Sequence, residues 1–149
     1  MNSVVLLAHA PLASALKECV RHVFADEIDA VLAVDVAPND QPEQVIARLC
    51  LWLNDTTQHQ NVLILTDIFG ATPCNIAQKA CAQSGARLVA GVNVPMLMRA
   101  MTYRHEPLDI MAERVIAGGL QGVMNVANTA LQNQKRYASH DPNAHHHQQ

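Results

Sequence analysis

Residues 62–73 read VLILTDIFGATP and combine the features of a buried strand, a loop and a helix start. The run VLILT at residues 62–66 is apolar up to its last residue and has the length of a strand. The chain then turns through Asp-Ile-Phe-Gly-Ala and reaches Thr72 and Pro73, which suit the cap and the first turn of a helix. This stretch therefore predicts a strand whose carboxyl end leads directly into a helix.

The same strand-then-helix pattern occurs three more times. The predicted strands are residues 3–7, 30–36 and 87–92, and the helices that follow them cover about residues 12–24, 42–53 and 96–104. Such alternation predicts an α/β fold with a doubly wound, mostly parallel four-stranded sheet and helices on both faces. Residues 113–117 (ERVIA) predict an additional short strand before Gly118-Gly119 and a last helix through Leu131.

Composition indicates one folded domain followed by a tail. The 149 residues are 50% hydrophobic and 15% charged, which is enough for one substantial core. We expect a domain over residues 1–131 and a polar, disordered tail over residues 132–149. The tail histidines are expected to be solvated, with weak metal binding as the alternative; they are His140, His145, His146 and His147.

The charge balance and the sequence pattern exclude several classes of protein. A net charge of -3 is too balanced for a nucleic-acid surface. No apolar run approaches the ~20 residues of a membrane-spanning helix, and no secretory leader is recognisable, so we expect a cytoplasmic protein without membrane insertion. The 4 cysteines lack CxxC spacing and are interpreted as reduced core thiols.

Two residues at predicted strand ends suggest chemistry. His9 follows the first strand and Asp67 the third, so both lie at one edge of the sheet if these strands are neighbours. A neutral imidazole has a lone pair that can attack phosphorus, and a carboxylate bonded to Nδ1 would present Nε2 and stabilise the charge that develops on the ring. The helix start after the Asp67 loop favours an anionic group. Spacing alone leaves open a packing role for His9 and a turn role for Asp67.

Three motifs decide between these interpretations. The stretches VLLAHAPLASAL (5–16), TDIFGATPCN (66–75) and GVNVPML (91–97) resemble the mannose-type enzyme IIA family of the sugar phosphotransferase system, over about residues 1–131. The resemblance implies that His9 is phosphorylated at Nε2 and that Asp67 is its hydrogen-bonded partner. It also implies a phosphate site lined by Phe69, Gly70, Ala71 and Thr72, with neither metal nor nucleotide as cofactor.

The resemblance also implies protein partners. Members of the family take the phosphoryl group from the carrier protein HPr and pass it to an enzyme IIB domain for sugar uptake. Homodimers exchange a C-terminal strand, which would place Glu113–Ile116 in the partner; an edge strand within one chain is the alternative. Asn93, Pro95 and Met96 would border the docking surface for HPr and IIB, although Met96 also suits a helix in the core.

The sequence departs from the family pattern at two places, so other functions remain as alternatives. Ala10 stands where the family usually has glycine, and Gly70-Ala71-Thr72-Pro73 replaces Gly-Gly-Ser-Pro. Alanine would strain a backbone position of positive φ, which would affect transfer rate or partner choice. The main alternative is a regulatory phospho-signalling module without sugar transport. A dihydroxyacetone-kinase phosphotransfer subunit ranks lower, and a hydrolase last.

Overall fold

Four parallel strands form the centre of the molecule in the computed structural model, which describes residues 1–55, 61–82 and 84–126. The strands are β1 (Ser3–His9), β2 (Val31–Val36), β3 (Val62–Thr66) and β4 (Arg87–Ala90). They are arranged in the order β2-β1-β3-β4, and every neighbouring pair is parallel. The predicted four-stranded parallel sheet is confirmed.

Each strand is followed by a helix. The helices are α1 (Leu12–Arg21), α2 (Pro42–Leu53), α3 (Thr72–Cys81), α4 (Val94–Thr102) and α5 (Leu108–Gln121), and a short 3-10 helix covers Ala25–Ala30. Within the described residues, no helix is long and apolar enough to cross a membrane.

The central strand β1 separates two hydrophobic cores because its side chains alternate between the faces of the sheet. Val4 and Leu6 pack in one core, together with buried residues of α1, α4 and α5. Val5 and Leu7 pack in the other core, with buried residues of α2 and α3. Helices therefore cover both faces of the sheet, as the strand-helix alternation predicts.

The strand predicted at residues 113–117 is wrong, because this segment lies inside α5. The helix buries Met111, Val115 and Gly118, a spacing of three to four residues that fits one face of a helix and not the alternation of a strand. Gly118 and Gly119 continue the same helix, which ends at Gln121. The separate last helix predicted to follow them is wrong over residues 122–125, which are not helical, and its final part, residues 127–131, lies outside the described residues. The exchange of Glu113–Ile116 as a strand is incompatible with this helix.

Three smaller predictions also need correction. Thr72 is the first residue of α3 and not its cap, since the capping position falls on Ala71. Cys19 is exposed on α1, whereas the other cysteines are buried or partly buried, so only Cys19 departs from the predicted core location. The helix predicted over residues 96–104 begins and ends two residues earlier, at Val94 and Thr102. The predicted tail, with its histidines, lies outside the described residues.

Candidate functional site

The sheet order brings the ends of β1 and β3 together. The two strands are direct neighbours, and Leu7 of β1 is paired with Thr66 of β3. His9 is the last residue of β1, and Asp67 is the first residue after β3. Two residues separated by 58 positions in the chain therefore meet at the carboxyl edge of the sheet.

Asp67 holds His9 by two hydrogen bonds. Its Oδ2 lies 2.6 Å from Nδ1 of the imidazole and accepts the His9 backbone N–H at 2.9 Å. The other oxygen, Oδ1, accepts the Ile68 backbone N–H at 2.8 Å. Both carboxylate oxygens are thus in use, and the ring orientation is fixed relative to its own backbone.

The pKa of Asp67 favours the ionised form. Burial of the side chain raises the pKa, but the hydrogen bonds donated by His9 and Ile68 outweigh it, so the pKa lies below that of a free aspartate. An ionised carboxylate has no proton to donate, and Nδ1 must therefore carry the proton in their hydrogen bond. The neutral ring then has its lone pair on Nε2.

The imidazole is accessible from outside, and the carboxylate is not. The His9 side chain is 50% exposed and the Asp67 side chain 8% exposed. Among the described residues, none forms a hydrogen bond with Nε2 of His9. The arrangement presents one ring nitrogen to solvent while the other is held by a shielded charge.

The loop after Asp67 leads into an uncapped helix start. Gly70 has a φ of +83°, a conformation that glycine adopts readily, and the Asn75 side-chain amide donates to its carbonyl at 3.2 Å. Ala71 has a φ of -80°, so alanine replaces the family glycine without strain. Ala71, at the capping position of α3, has no side-chain acceptor, and no side chain among the described residues accepts from the Thr72 or Cys74 N–H at the start of this helix.

The segment predicted to border a docking surface begins α4. Asn93 caps this helix, since its Oδ1 accepts the Met96 N–H at 2.9 Å, and its Nδ2 donates to the Gly119 carbonyl of α5 at 3.3 Å. Met96 is only 4% exposed and belongs to the core, which is the alternative that the sequence left open for it. Pro95 is partly exposed at the same end of the helix.

Sequence reasoning missed two polar residues that support this edge. Asn75 was quoted within a motif but given no role, and its contact with Gly70 depends on the path of the loop. Asp35 accepts hydrogen bonds from the first turn of α1. A signal for Asp35 existed, because it is the charged residue within the apolar run AVLAVDV at residues 30–36.

The site is an open edge of the sheet and not an enclosed cavity. Two cavities in the described part of the chain, of about 390 and 430 Å³, are lined by residues that include neither His9 nor Asp67. Across the described residues, no group of three His, Cys, Asp or Glu side chains is placed to hold a metal ion.

Comparison with known proteins identifies chains that are similar in sequence and fold. Residues 3–115 match the EIIA-man family, described as the PTS system fructose IIA component. The fructose-specific EIIA component of Bacillus subtilis (strain 168) is 31% identical over 105 residues, which cover 70% of this chain and 71% of the relative. The sorbose-specific EIIA component of Lacticaseibacillus casei is 28% identical over 96 residues, covering 64% of this chain and 68% of the relative. Among solved structures, the mannose/sorbose specific IIA subunit of the phosphotransferase system from Enterococcus faecalis has a TM-score of 0.76 and 25% identity, and the alignment covers 87% of this chain and 98% of that one.

Proposed function

Because the chain belongs to the fructose/mannose-type IIA family of the phosphotransferase system, we propose that it carries a phosphoryl group on His9 from HPr to an enzyme IIB domain. Membership of this family supports a phosphocarrier role in sugar uptake. The proposal keeps the cytoplasmic location that the sequence predicts. The proposed acceptor atom is Nε2 of His9, Asp67 is the supporting carboxylate, and HPr and IIB are the two proposed partners.

The contact of 2.6 Å between His9 Nδ1 and Asp67 Oδ2 carries the proposal. With the proton on Nδ1, the Nε2 lone pair attacks the phosphorus of a phosphorylated donor, a P–N bond forms, and the bond from phosphorus to the donor breaks. Positive charge develops on the imidazole during this step, and the ionised carboxylate stabilises it. The reverse sequence passes the group to the next carrier.

We propose that the start of α3 binds the oxygens of the phosphoryl group. Uncapped backbone N–H groups and the helix dipole favour an anion there, and the Thr72 hydroxyl adds a donor. Among the described residues, no heavy atom lies within 4 Å of the position that a Cβ on Gly70 would take, which supports an open loop at this point. Ala71 and Phe69 complete the proposed lining.

Exposed apolar side chains surround His9 and favour protein partners over a small substrate. Ile68 is 61% exposed and Phe69 is 77% exposed, in the loop after β3. Leu12 at the start of α1 and Val94 at the start of α4 are also exposed at this edge. Exposed apolar groups concentrated around a reactive residue are typical of a protein interaction site. We assign this patch, with Asn93 and Pro95 at its border, to the docking of HPr and IIB.

Phosphorylation in a reconstituted system tests the proposal. Incubation with HPr, enzyme I and phosphoenolpyruvate is expected to place an acid-labile phosphoryl group on the wild-type chain and none on His9→Gln. His22→Gln is the matched control, because His22 is an exposed histidine on the surface after α1 and is expected to leave labelling unchanged. Label that persists in His9→Gln would exclude His9 as the acceptor.

A chase experiment tests the second partner. Addition of an enzyme IIB domain to the purified phosphorylated chain is expected to transfer the label to IIB and to regenerate the unlabelled chain. A label that stays on the chain with fructose-type and mannose-type IIB domains alike contradicts this half of the proposal.

We also propose that two copies associate through the last turn of α5 and the segment that follows it. Leu120, Val123, Met124 and Val126 are between 59% and 78% exposed, a concentration of apolar surface that an isolated chain would leave in water. Light scattering after size exclusion is expected to give twice the mass of one chain for the wild type and one mass for Val123→Lys combined with Val126→Lys. A wild-type chain with the mass of a single copy rejects the dimer.

A further inference from the structure

Asp35 connects the edge strand β2 to the first turn of α1. Its Oδ1 accepts the backbone N–H of Ala13 at 2.9 Å and that of Ser14 at 3.2 Å, and its Oδ2 accepts the Ser14 hydroxyl. The carboxylate and the turn are more than twenty residues apart in the chain. These bonds satisfy backbone donors that the start of a helix otherwise leaves free.

The turn that Asp35 holds follows His9, the last residue of β1, after a link of residues 10–11. His9 is paired with Val36 across β1 and β2, and the Ala10 N–H donates to the Val36 carbonyl at 3.0 Å. Asp67 accepts the His9 N–H from the other side. The backbone from His9 to the first turn of α1 is thus attached to β2 at one side and to the β3 loop at the other.

The two helix starts at this edge of the sheet differ in whether a side chain accepts from their backbone donors. At α1 the carboxylate accepts from two backbone donors, whereas at α3, within the part of the chain that the structure describes, no side chain accepts from the N–H groups of the first turn. His9 alternates along β1 with Val5 and Leu7, whose core is shared with α2 and α3. The His9 side chain therefore lies on the face of the sheet that α3 covers. The N–H groups at the start of α3 are available to an anion on that face.

We propose that Asp35 is a positioning residue for phosphoryl transfer: it holds the first turn of α1 so that Nε2 of His9 faces the start of α3. The inference rests on the proposed function, since it concerns the orientation of the phosphoryl acceptor. It extends that function to a residue that does not contact the reacting atoms. Asp67 sets the ring relative to the backbone, and Asp35 sets the position of the chain that leaves His9 towards α1.

The role predicts a difference between two substitutions. Asp35→Ala removes every acceptor, and a displacement of about 1 Å at a reacting group can cost about 100-fold, so we expect at least a tenfold fall in the maximal rate of His9 phosphorylation. Asp35→Asn keeps an oxygen for the backbone donors and an amide for the Ser14 hydroxyl, since asparagine caps helices well. It is expected to react within about threefold of the wild type.

Rates are measured by single-turnover transfer from phosphorylated HPr, at several HPr concentrations and per folded molecule. The fall for Asp35→Ala is expected in the maximal rate, with the half-saturating HPr concentration unchanged within about twofold, because an orientation defect affects transfer more than docking. Asp109→Asn is the matched control. It removes one carboxylate from an exposed ion pair with Arg87, at the start of α5, and is expected to leave the rate unchanged.

A nuclear magnetic resonance measurement on the His9 ring accompanies the kinetics. The hydrogen-bonded Nδ1 proton of the wild type is expected to give a downfield signal that broadens or disappears in Asp35→Ala and returns in Asp35→Asn. A capping role confined to stability would lower the melting temperature of Asp35→Ala without changing this signal or the rate.

The outcomes separate the two proposals. A wild type that accepts phosphoryl groups together with Asp35→Ala that reacts equally fast overturns the role of Asp35 and leaves the proposed function in place. A wild type that accepts no phosphoryl group overturns the proposed function itself. If Asp35→Asn reacts as slowly as Asp35→Ala, the positioning role is also overturned. Asparagine keeps a hydrogen-bonding oxygen, so the loss would then come from the missing charge and not from a displaced turn.

Discussion

Replacement of Asp67 by asparagine removes the charge beside His9 with almost no change in shape. In the wild type, Oδ2 accepts from Nδ1 and from the His9 N–H, and Oδ1 accepts from the Ile68 N–H. An amide has one oxygen, so its NH₂ group must face either the His9 donors or the Ile68 donor. Facing His9, it would favour the tautomer with the proton on Nε2, the atom that we propose attacks phosphorus.

The expected loss follows from the hydrogen bond that the substitution weakens. A hydrogen bond to a charged group contributes about 1.5–3 kcal/mol, and about 1.36 kcal/mol corresponds to a tenfold change in rate. Loss of the contact between Nδ1 and Asp67 in the transition state is therefore expected to slow His9 phosphorylation by about 10-fold to 150-fold. A tautomer unfavourable for attack would place the result at the upper end of that interval.

The assay is single-turnover phosphorylation by HPr, with Asp40→Asn as the control. Asp40 is another loop carboxylate that accepts a backbone N–H, from Ala37 at 2.9 Å, and its substitution is expected to leave the rate unchanged. An Asp67→Asn chain that reacts as fast as the wild type refutes the reasoning, since the carboxylate would then stabilise neither the tautomer nor the developing charge.

Four further predictions concern stability and reactivity. The pKa of Asp67 lies below its unfolded value of about 3.9, so the carboxylate stabilises the fold above that pH and the stabilisation is lost as the pH falls through the folded pKa; the difference in urea unfolding between the wild type and Asp67→Asn should be largest at pH 7 and should shrink as the pH falls below about 3.9. Gly70→Ala places a Cβ at a φ of +83° and is expected to cost about 1–2 kcal/mol in urea denaturation, with unchanged stability contradicting the assigned conformation. Gly122→Ala places a Cβ 2.4 Å from Cγ of Pro95 and is expected to cost about 1–3 kcal/mol, measured by thermal unfolding, and a neutral effect would mean that α4 and α5 are not in such close contact. Burial raises the pKa of the Cys81 thiol to about 11, so mass spectrometry after alkylation at pH 8 should find Cys81 mostly unmodified in the folded chain and fully modified after denaturation.

The sheet was predictable because its signals are local. The runs at residues 3–7 and 62–66 are apolar on both faces, as strands buried on both sides must be, and each leads into a loop and a helix. Parallel pairing and right-handed crossovers then restrict the arrangement to few alternatives. The meeting of His9 with Asp67 follows from the adjacency of β1 and β3, which the sequence alone left as a condition.

The error at residues 113–117 has a tertiary cause. Val115 and Ile116 are residues with strand preference, and the glycines after them suggest a turn. In the structure, Gly118 and Gly119 let α5 approach α4, because a Cβ at Gly118 would lie 2.4 Å from Arg99 Cγ and one at Gly119 2.6 Å from Met96 Cγ. Packing between two helices therefore overrides the local preference of the segment.

The supporting residues of the site were the least predictable. Asp35 and Asn75 act through hydrogen bonds to backbone groups whose positions depend on the whole fold. The sequence predicts that Asn93 borders a docking surface, and it does not reveal the cap that Asn93 forms on α4. Its hydrogen bond to Gly119 depends on α5, a helix that the sequence did not predict correctly. Such contacts carry no periodic pattern along the chain.

The central position of β1 has a consequence for the timescale on which His9 can move. This strand has hydrogen-bonded neighbours on both sides, and Val4, Val5, Leu6, Leu7 and Ala8 have no exposed surface. Amide protons in such a strand exchange with deuterium mainly when the entire domain opens, whereas loop amides exchange through small local fluctuations. The strand that leads to His9 is consequently expected to rearrange more slowly than the loops around it, so any adjustment to the proposed partners falls to those loops.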